Sequence, residues 1–308
     1  MKRLFAAFLS LCLLMTLAAC RRTDEQLPDE PDGGAPDAEK PVFAADTLPR
    51  LDGSTATIPL SEALVQSLLG YTPEQAQAFV SHATTHFAYE NLIAGDCDII
   101  FVTPPSADEE ELMASSGEEF EVVPVVKDAF VFLTGADNPV QSLTVEQLRD
   151  IYTGKTTNWS ALGGPDADIT AYQREDNSGS QTLMYKLLVP KADILAAPRE
   201  LIIEDMGGLV NAVSDYQTGA SALGYSVFYY ASGMYTNSGS RLMAVNGVEP
   251  TAETIASGDY PLTDAYYAVF RKSQAADSPV RQLLAWILSD EGQKLMQAAG
   301  YVPLRVLE

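Results

Sequence analysis

An α/β fold is what this sequence predicts, on three observations. Short β-like runs, "CDIIFVT", "FEVVPVVKDAFVFLT" and "ALGYSVFYYA", alternate with segments of helical apolar spacing, "SEALVQSLLG", "TVEQLRDIY", "SQTLMYKLLV" and "SPVRQLLAWILSDEGQKLMQAAG". The stretch from about residue 46 to 308 is long enough for one large or two moderate domains. A composition of 46% hydrophobic and 20% charged residues suits a chain that buries a core. No internal repeat recurs at a fixed period.

Residues 1–19 read as a signal peptide, with Lys2 and Arg3 ahead of an uncharged apolar run that ends in small residues. The run is short for a bilayer crossing, and Arg21 and Arg22 follow at once, which weighs against a spanning helix. The phrase "LAAC" resembles the lipobox of bacterial lipoproteins. That resemblance implies cleavage before Cys20, acylation of its thiol and an extracytoplasmic protein anchored to the cell membrane by lipid. Residues 20–45, rich in Pro, Asp, Glu and Gly and poor in large apolar side chains, form a disordered acidic tether. A soft coil of that length reaches on the order of 25–30 Å from the membrane.

The formal net charge is −23 and becomes more negative once Lys2 and Arg3 leave with the signal. Nucleic acid and other polyanions are thereby excluded as partners. Screening beyond about 8–10 Å still permits a local pocket for a small anion.

In "RLDGSTATIPLSEALVQSLLG", Asp52-Gly53 and the cluster Ser54, Thr55 and Thr57 end an extended stretch, and Pro59 opens a helix. Such a turn aims free N–H groups at one point, favouring either an anion or carbonyl ligand or a plain N-cap. Cys97 in "AGDCDIIF" precedes an apolar run and reads as a buried small side chain with no chemistry. His82 and His86 stand four apart, but Ala83 occupies the place where a zinc protease motif carries Glu, so no metal is expected. No nucleophile elbow, phosphate loop or dinucleotide fingerprint is present, so neither an enzyme nor a cofactor is expected. Near the C-terminus, Val280, Leu283, Leu284, Ile287, Leu288, Leu295 and Met296 recur at helical spacing between Ser278-Pro279 and Gly300, predicting one long helix.

The central stretch 138–188 begins "NPVQSLTVEQLRDIYTGKTTNWSALGG" and continues through a strand to Arg174, Asp176, Ser178, Gly179 and Ser180. Arg174 offers a fork of donors to an oxyanion, Ser178 and Ser180 add hydroxyls, and Gly179 lets the backbone come close at a helix start. A surface ion pair of Arg174 with Glu175 or Asp176, and an ordinary serine N-cap, explain these residues equally well in isolation.

The whole phrase closely resembles the phosphate-binding proteins of ABC importers, members of the type 2 periplasmic-binding-protein superfamily. The resemblance covers most of the chain from about residue 50. It implies two α/β lobes around one ligand cleft, lobe one being residues 46–137 and 235–308 and lobe two residues 138–234. It implies capture of a small oxyanion, phosphate foremost, by hinge closure, for delivery to the permease and ATPase subunits of an importer. The receptor is expected to act as a monomer. The ligand set implied is Ser54, Thr55, Ala56, Thr85, Thr103, Arg174, Ser178, Gly179 and Ser180.

One departure matters. Where the family often places an acid or a Ser-Ser-Arg phrase, this chain has "VTPPS", so Thr103 replaces a proton acceptor with a neutral hydroxyl. Sulfate-like anions therefore stay open, as does the alternative of an extracytoplasmic sensor of the same fold with another small ligand. Tyr89 and Glu90 come near this turn with no role assigned.

Overall fold

The computed structural model describes residues 37–215, 219–235 and 239–307. The signal peptide, Cys20 and the tether up to residue 36 lie outside the described residues. Strands run β1 (Leu51–Gly53), β2 (Ile99–Val102), β3 (Phe120–Gly135), β4 (Ser142–Leu143), β5 (Thr170–Ala171), β6 (Gln173–Arg174), β7 (Ile202–Ile203), β8 (Ala222–Val227), β9 (Ser240–Leu242), β10 (Ala244–Val245) and β11 (Thr263–Arg271). Helices run α1 (Ile58–Leu69), α2 (Pro73–Phe79), α3 (Thr85–Ala94), α4 (Ala107–Ser115), α5 (Val145–Tyr152), α6 (Gly179–Leu183), α7 (Met206–Ser214), α8 (Ala252–Ser257), α9 (Pro279–Leu288) and α10 (Asp290–Ala298). The alternation of β and α segments is the predicted α/β class. Among the described residues no helix is long and apolar enough to cross a membrane.

One strand links two sets of strands. The first half of β3, residues 120–129, pairs antiparallel with β11, which continues to β2 and β1. Its second half pairs with β8 on one edge and β9 on the other, and β8 continues to β5. β3 thus changes partners at about residue 130, ahead of Asn138, where the resemblance starts lobe two. Residues 240–245, given to lobe one on sequence, pair with β3 and β4 of lobe two. The return comes near Tyr260–Leu262, where the Phe130 N–H donates to the Leu262 carbonyl at 2.8 Å and the chain runs into β11. The run 120–134 carries no turn signal because it is one strand, and a crossing inside a straight strand leaves no mark in composition.

The C-terminal helix also differs from expectation. It breaks at Ser289, whose hydroxyl donates to the Trp286 carbonyl at 2.7 Å and accepts from Gly292 N–H at 3.2 Å. A Cβ at Gly292 would stand 2.0 Å from the Trp286 carbonyl, so only glycine lets α10 turn this tightly against α9. The phrase "SDEG", a cap followed by two acids, is the start signal that the unbroken apolar spacing hides.

The family phrase itself serves packing. Trp159 is fully buried and donates from Nε1 to the Ser221 carbonyl at 2.9 Å. Asn138 bridges Val140 N–H and the Ala220 carbonyl at 2.9 and 3.0 Å. Cys97 is buried, and burial pushes its thiol up to about 12, in keeping with a packing role.

At the crossing, Asp128 lies opposite Asp264 in the β3/β11 register. Its Oδ1 accepts from Ala129 and Tyr229 N–H at 2.8 and 3.1 Å, while Oδ2 faces the Tyr266 hydroxyl without a well-formed hydrogen bond. Burial pushes this carboxyl up to about 7, against the pull of those donors. The folded state then holds a proton that the unfolded chain, with an ordinary Asp pKa of about 3.9, releases. Stability should fall as pH rises from about 4 to 7 and level off above, by a total on the order of a few kcal/mol. Asp128→Asn should flatten that decline and raise the melting temperature at pH 8 more than at pH 4. Thermal melts at the two pH values check this; equal shifts at both would contradict it.

Candidate functional site: a cleft between the two sets of strands

The turn after β1 is tied down from several sides. Asp52 is buried and accepts from Gly53 and Ala83 N–H and from Asn91 Nδ2, each at 2.7 Å, which buckles this turn to the segment before α3. His82 Nδ1 lies 2.9 Å from the Ser54 carbonyl and Nε2 3.0 Å from the Ser61 hydroxyl. A carbonyl can only accept, so Nδ1 carries the proton and Nε2 accepts. Burial pushes His82 down, which keeps that neutral form. The N–H groups of Thr55 and Ala56 open the single 3-10 turn Thr55–Thr57, ahead of any helical carbonyl that could accept them. The opening turn is thus more than an N-cap: it is a backbone donor pair held by a buried Asp and a half-buried His.

Thr85 begins α3 behind Thr84, a β-branched residue at φ 76° and ψ 168°. That conformation is strained without glycine and aims the α3 N-terminus into the cleft. Thr103 follows β2, its carbonyl accepting from the Tyr89 hydroxyl at 3.2 Å. Its own Oγ1 is buried with no hydrogen-bond partner among the described residues. Tyr89 is therefore a buried prop for this turn, whereas Glu90 is exposed and sits 3.9 Å from His86.

From lobe two, β6 delivers Arg174 and a turn with Asn177 at φ 64° delivers Ser178, the cap of α6. Arg174 is buried and makes no ion pair among the described residues. Its Nε and Nη2 donate to the Ile203 and Glu204 carbonyls, each at 2.9 Å, and Nη1 has only Ser180 Oγ at 3.5 Å. Half of the fork is thus spent on positioning β7 and the chain after it, and Nη1 remains for a ligand. Burial pulls the guanidinium down from its usual value, the signature of a desolvated cation. Asp176 does not neutralise it. Burial pushes that carboxyl up, but Tyr185 at 2.5 Å and Lys191 at 3.0 Å hold it below the ordinary range.

All nine residues of the expected ligand set line one cavity of about 490 Å³. Its donors come from both lobes, and the lobes touch at its edge. A Cβ on Gly179 would stand 2.5 Å from Thr103 Oγ1 and 3.0 Å from Thr85 Oγ1. Asn177 Nδ2 reaches Asp108 Oδ2 at 3.1 Å, and Lys186 Nζ reaches Asp264 Oδ2 at 3.1 Å. Sequence reasoning missed the wall made by Glu204, Asp205, Met206, Val227, Tyr230 and Tyr266. The phrase "EDMGG", an Asp cap before two glycines at the start of α7, was its one local signal. Among the described residues no group of three His, Cys, Asp or Glu side chains is placed to hold a metal.

Chemically, among the described residues the site offers one buried guanidinium and several neutral donors, with Glu175, Asp176, Glu204 and Asp205 also in its lining, around a space between the two sets of strands. The phosphate-binding protein PstS of Bacillus subtilis is 28% identical over 310 residues, spanning 98% of this chain and 94% of its own. The protein of the same name from Staphylococcus epidermidis is 26% identical over 280 residues, 88% of this chain and 82% of its own. A phosphate ABC transporter substrate-binding protein from Clostridium perfringens, solved with bound phosphate, superposes at a TM-score of 0.65 with 26% identity, over 83% of this chain and 98% of its own. An ABC-type phosphate transport receptor from Vibrio cholerae, at 21% identity and a TM-score of 0.60, shares the fold over 82% of this chain and 98% of its own. A family model for the PBP superfamily domain matches residues 44–291, from β1 through α9 and so through both walls of the cleft, and the chain belongs to that superfamily.

Proposed function

We propose that this protein is an extracytoplasmic receptor that captures phosphate between its two lobes and delivers it to the permease and ATPase of an ABC importer. It works as a single chain held to the membrane by lipid on Cys20. The observation that carries the reading is Arg174, a buried guanidinium whose Nη1 has Ser180 Oγ at 3.5 Å as its hydrogen-bond partner among the described residues, lining one cavity with Thr55, Thr85, Thr103 and the α6 turn. Relatives that bind phosphate by name, across nearly the whole chain, support it. So does the α6 N-terminus, where Gly179 leaves the backbone accessible to an anion.

Calorimetry on the full chain tests the reading with inorganic phosphate and sulfate. Thr103 cannot reject a fully deprotonated anion as a carboxylate would, and Asp176 is occupied by Tyr185 and Lys191. Sulfate should therefore bind within about tenfold of phosphate. Thr103→Asp should abolish sulfate binding and keep that of protonated phosphate. Absence of phosphate binding would remove the proposal, and strong phosphate selectivity in the wild type would assign the sorting to another acid of the cavity lining, such as Asp205. Fatty-acid labelling of the chain, lost in Cys20→Ala, checks the anchor.

A further inference from the structure

The cavity is larger than an inorganic oxyanion needs. Resting on the phosphate reading above, we propose that the cleft takes a phosphomonoester of a small hydroxylated or amine-bearing alcohol. The phosphoryl group occupies the oxyanion donors and the organic part extends along the wall that sequence reasoning missed. A volume of about 490 Å³ falls within the range of sites for organic ligands, about 300–1,000 Å³. At about 30 Å³ per water it is room for roughly fifteen waters, of which an ion of five heavy atoms fills a small part.

The spare room does not come from lobes standing apart. Gly179 is already against Thr103 and Thr85, and the Asn177–Asp108 and Lys186–Asp264 contacts join the lobes at 3.1 Å each. Further closure at that edge would drive the α6 turn into Thr103.

The chemistry of the extra space is organic rather than ionic. Val227 and Met206 offer apolar surface for a carbon chain, and Tyr230 and Tyr266 offer aromatic faces with hydroxyls. The Tyr266 hydroxyl is buried and turned to Asp128 Oδ2, so of the two aromatic side chains Tyr230 is the one that meets a ligand hydroxyl or ammonium group. Asp205 and Glu204 make the same wall acidic, and Arg174 is the one Lys or Arg among the described residues that line the cavity. A second anionic group on the ligand therefore meets like charge, whereas a neutral or cationic group does not. Arg174 unites the two parts, since its Nε and Nη2 hold the Ile203 and Glu204 carbonyls while Nη1 faces the oxyanion donors.

Competition calorimetry on the full chain, with inorganic phosphate, glycerol 3-phosphate, phosphoethanolamine and 3-phosphoglycerate, tests the proposal. The first two esters should displace phosphate with affinities within about tenfold of it, and the carboxylated ester should be at least about 100-fold weaker. Met206→Trp, which fills the extension, should cost the esters about tenfold or more and inorganic phosphate less than about twofold. Tyr230→Phe, nearly isosteric, should weaken the esters about fivefold more than it weakens phosphate. If inorganic phosphate binds and neither ester competes, or if Met206→Trp weakens phosphate and esters alike, the extension is not a subsite. If nothing binds, the phosphate reading itself fails.

Discussion

Arg174→Ala should weaken phosphate binding by roughly 2–4 kcal/mol, a loss of about 30- to 1,000-fold. Among the described residues the buried guanidinium faces no carboxylate within ion-pair distance and is the one Lys or Arg lining the cavity. The anion would then be desolvated against neutral dipoles alone. The variant also strips the Ile203 and Glu204 carbonyls of their donors at 2.9 Å, so a lower melting temperature should accompany the lost affinity. Arg174→Lys separates the two effects: it keeps a charge but cannot serve two carbonyls and an anion at once, and should recover only part of the binding. Calorimetry with a melt of each variant is the measurement, and unchanged affinity in a folded Arg174→Ala protein would refute the assignment.

Gly179→Ala should act on closure rather than on folding. The new methyl would stand 2.5 Å from Thr103 Oγ1, 3.1 Å from its Cγ2 and 3.0 Å from Thr85 Oγ1, and those atoms belong to the opposite lobe. Overpacking of this kind costs about 1–3 kcal/mol, which here appears as about 5- to 150-fold weaker binding because the lobes relieve it by hinging apart. Small-angle scattering with saturating phosphate should show the variant more extended than the wild type. Adding Thr103→Ala removes two of the three clashing atoms and should restore most of the compaction while leaving affinity low, since the hydroxyl is gone. A variant as compact and as tight-binding as the wild type would mean that Gly179 does not mark the closing edge.

Much of this molecule is legible one segment at a time. The α/β class, the caps at Ser178 and Ser278, the buried character of Cys97 and the turn after β1 all rest on interactions within a few residues, which propensity and apolar spacing report directly. The ligand set followed from a resemblance in phrasing, and each of its residues lines the cleft. Yet the most conspicuous part of that phrase, around Asn138 and Trp159, packs lobe two and stays out of the cleft. Local reading could not separate a packing motif from a binding one.

What the sequence determined by itself is local: which segments become strands and helices, where the hydroxyl and glycine turns fall, and that a lone arginine precedes one of them. Tertiary structure alone decided the rest. It placed the change of strand partners inside β3, because strand pairing joins residues about 90 to 150 positions apart and leaves no trace in either partner's composition. It committed half of the Arg174 fork to the carbonyls of Ile203 and Glu204, and brought Asp205, Tyr230 and Tyr266 to the cleft. It also made Asp128 and Thr103 exceptional, because burial, not residue type, raises a carboxyl to about 7 and leaves a hydroxyl without a partner.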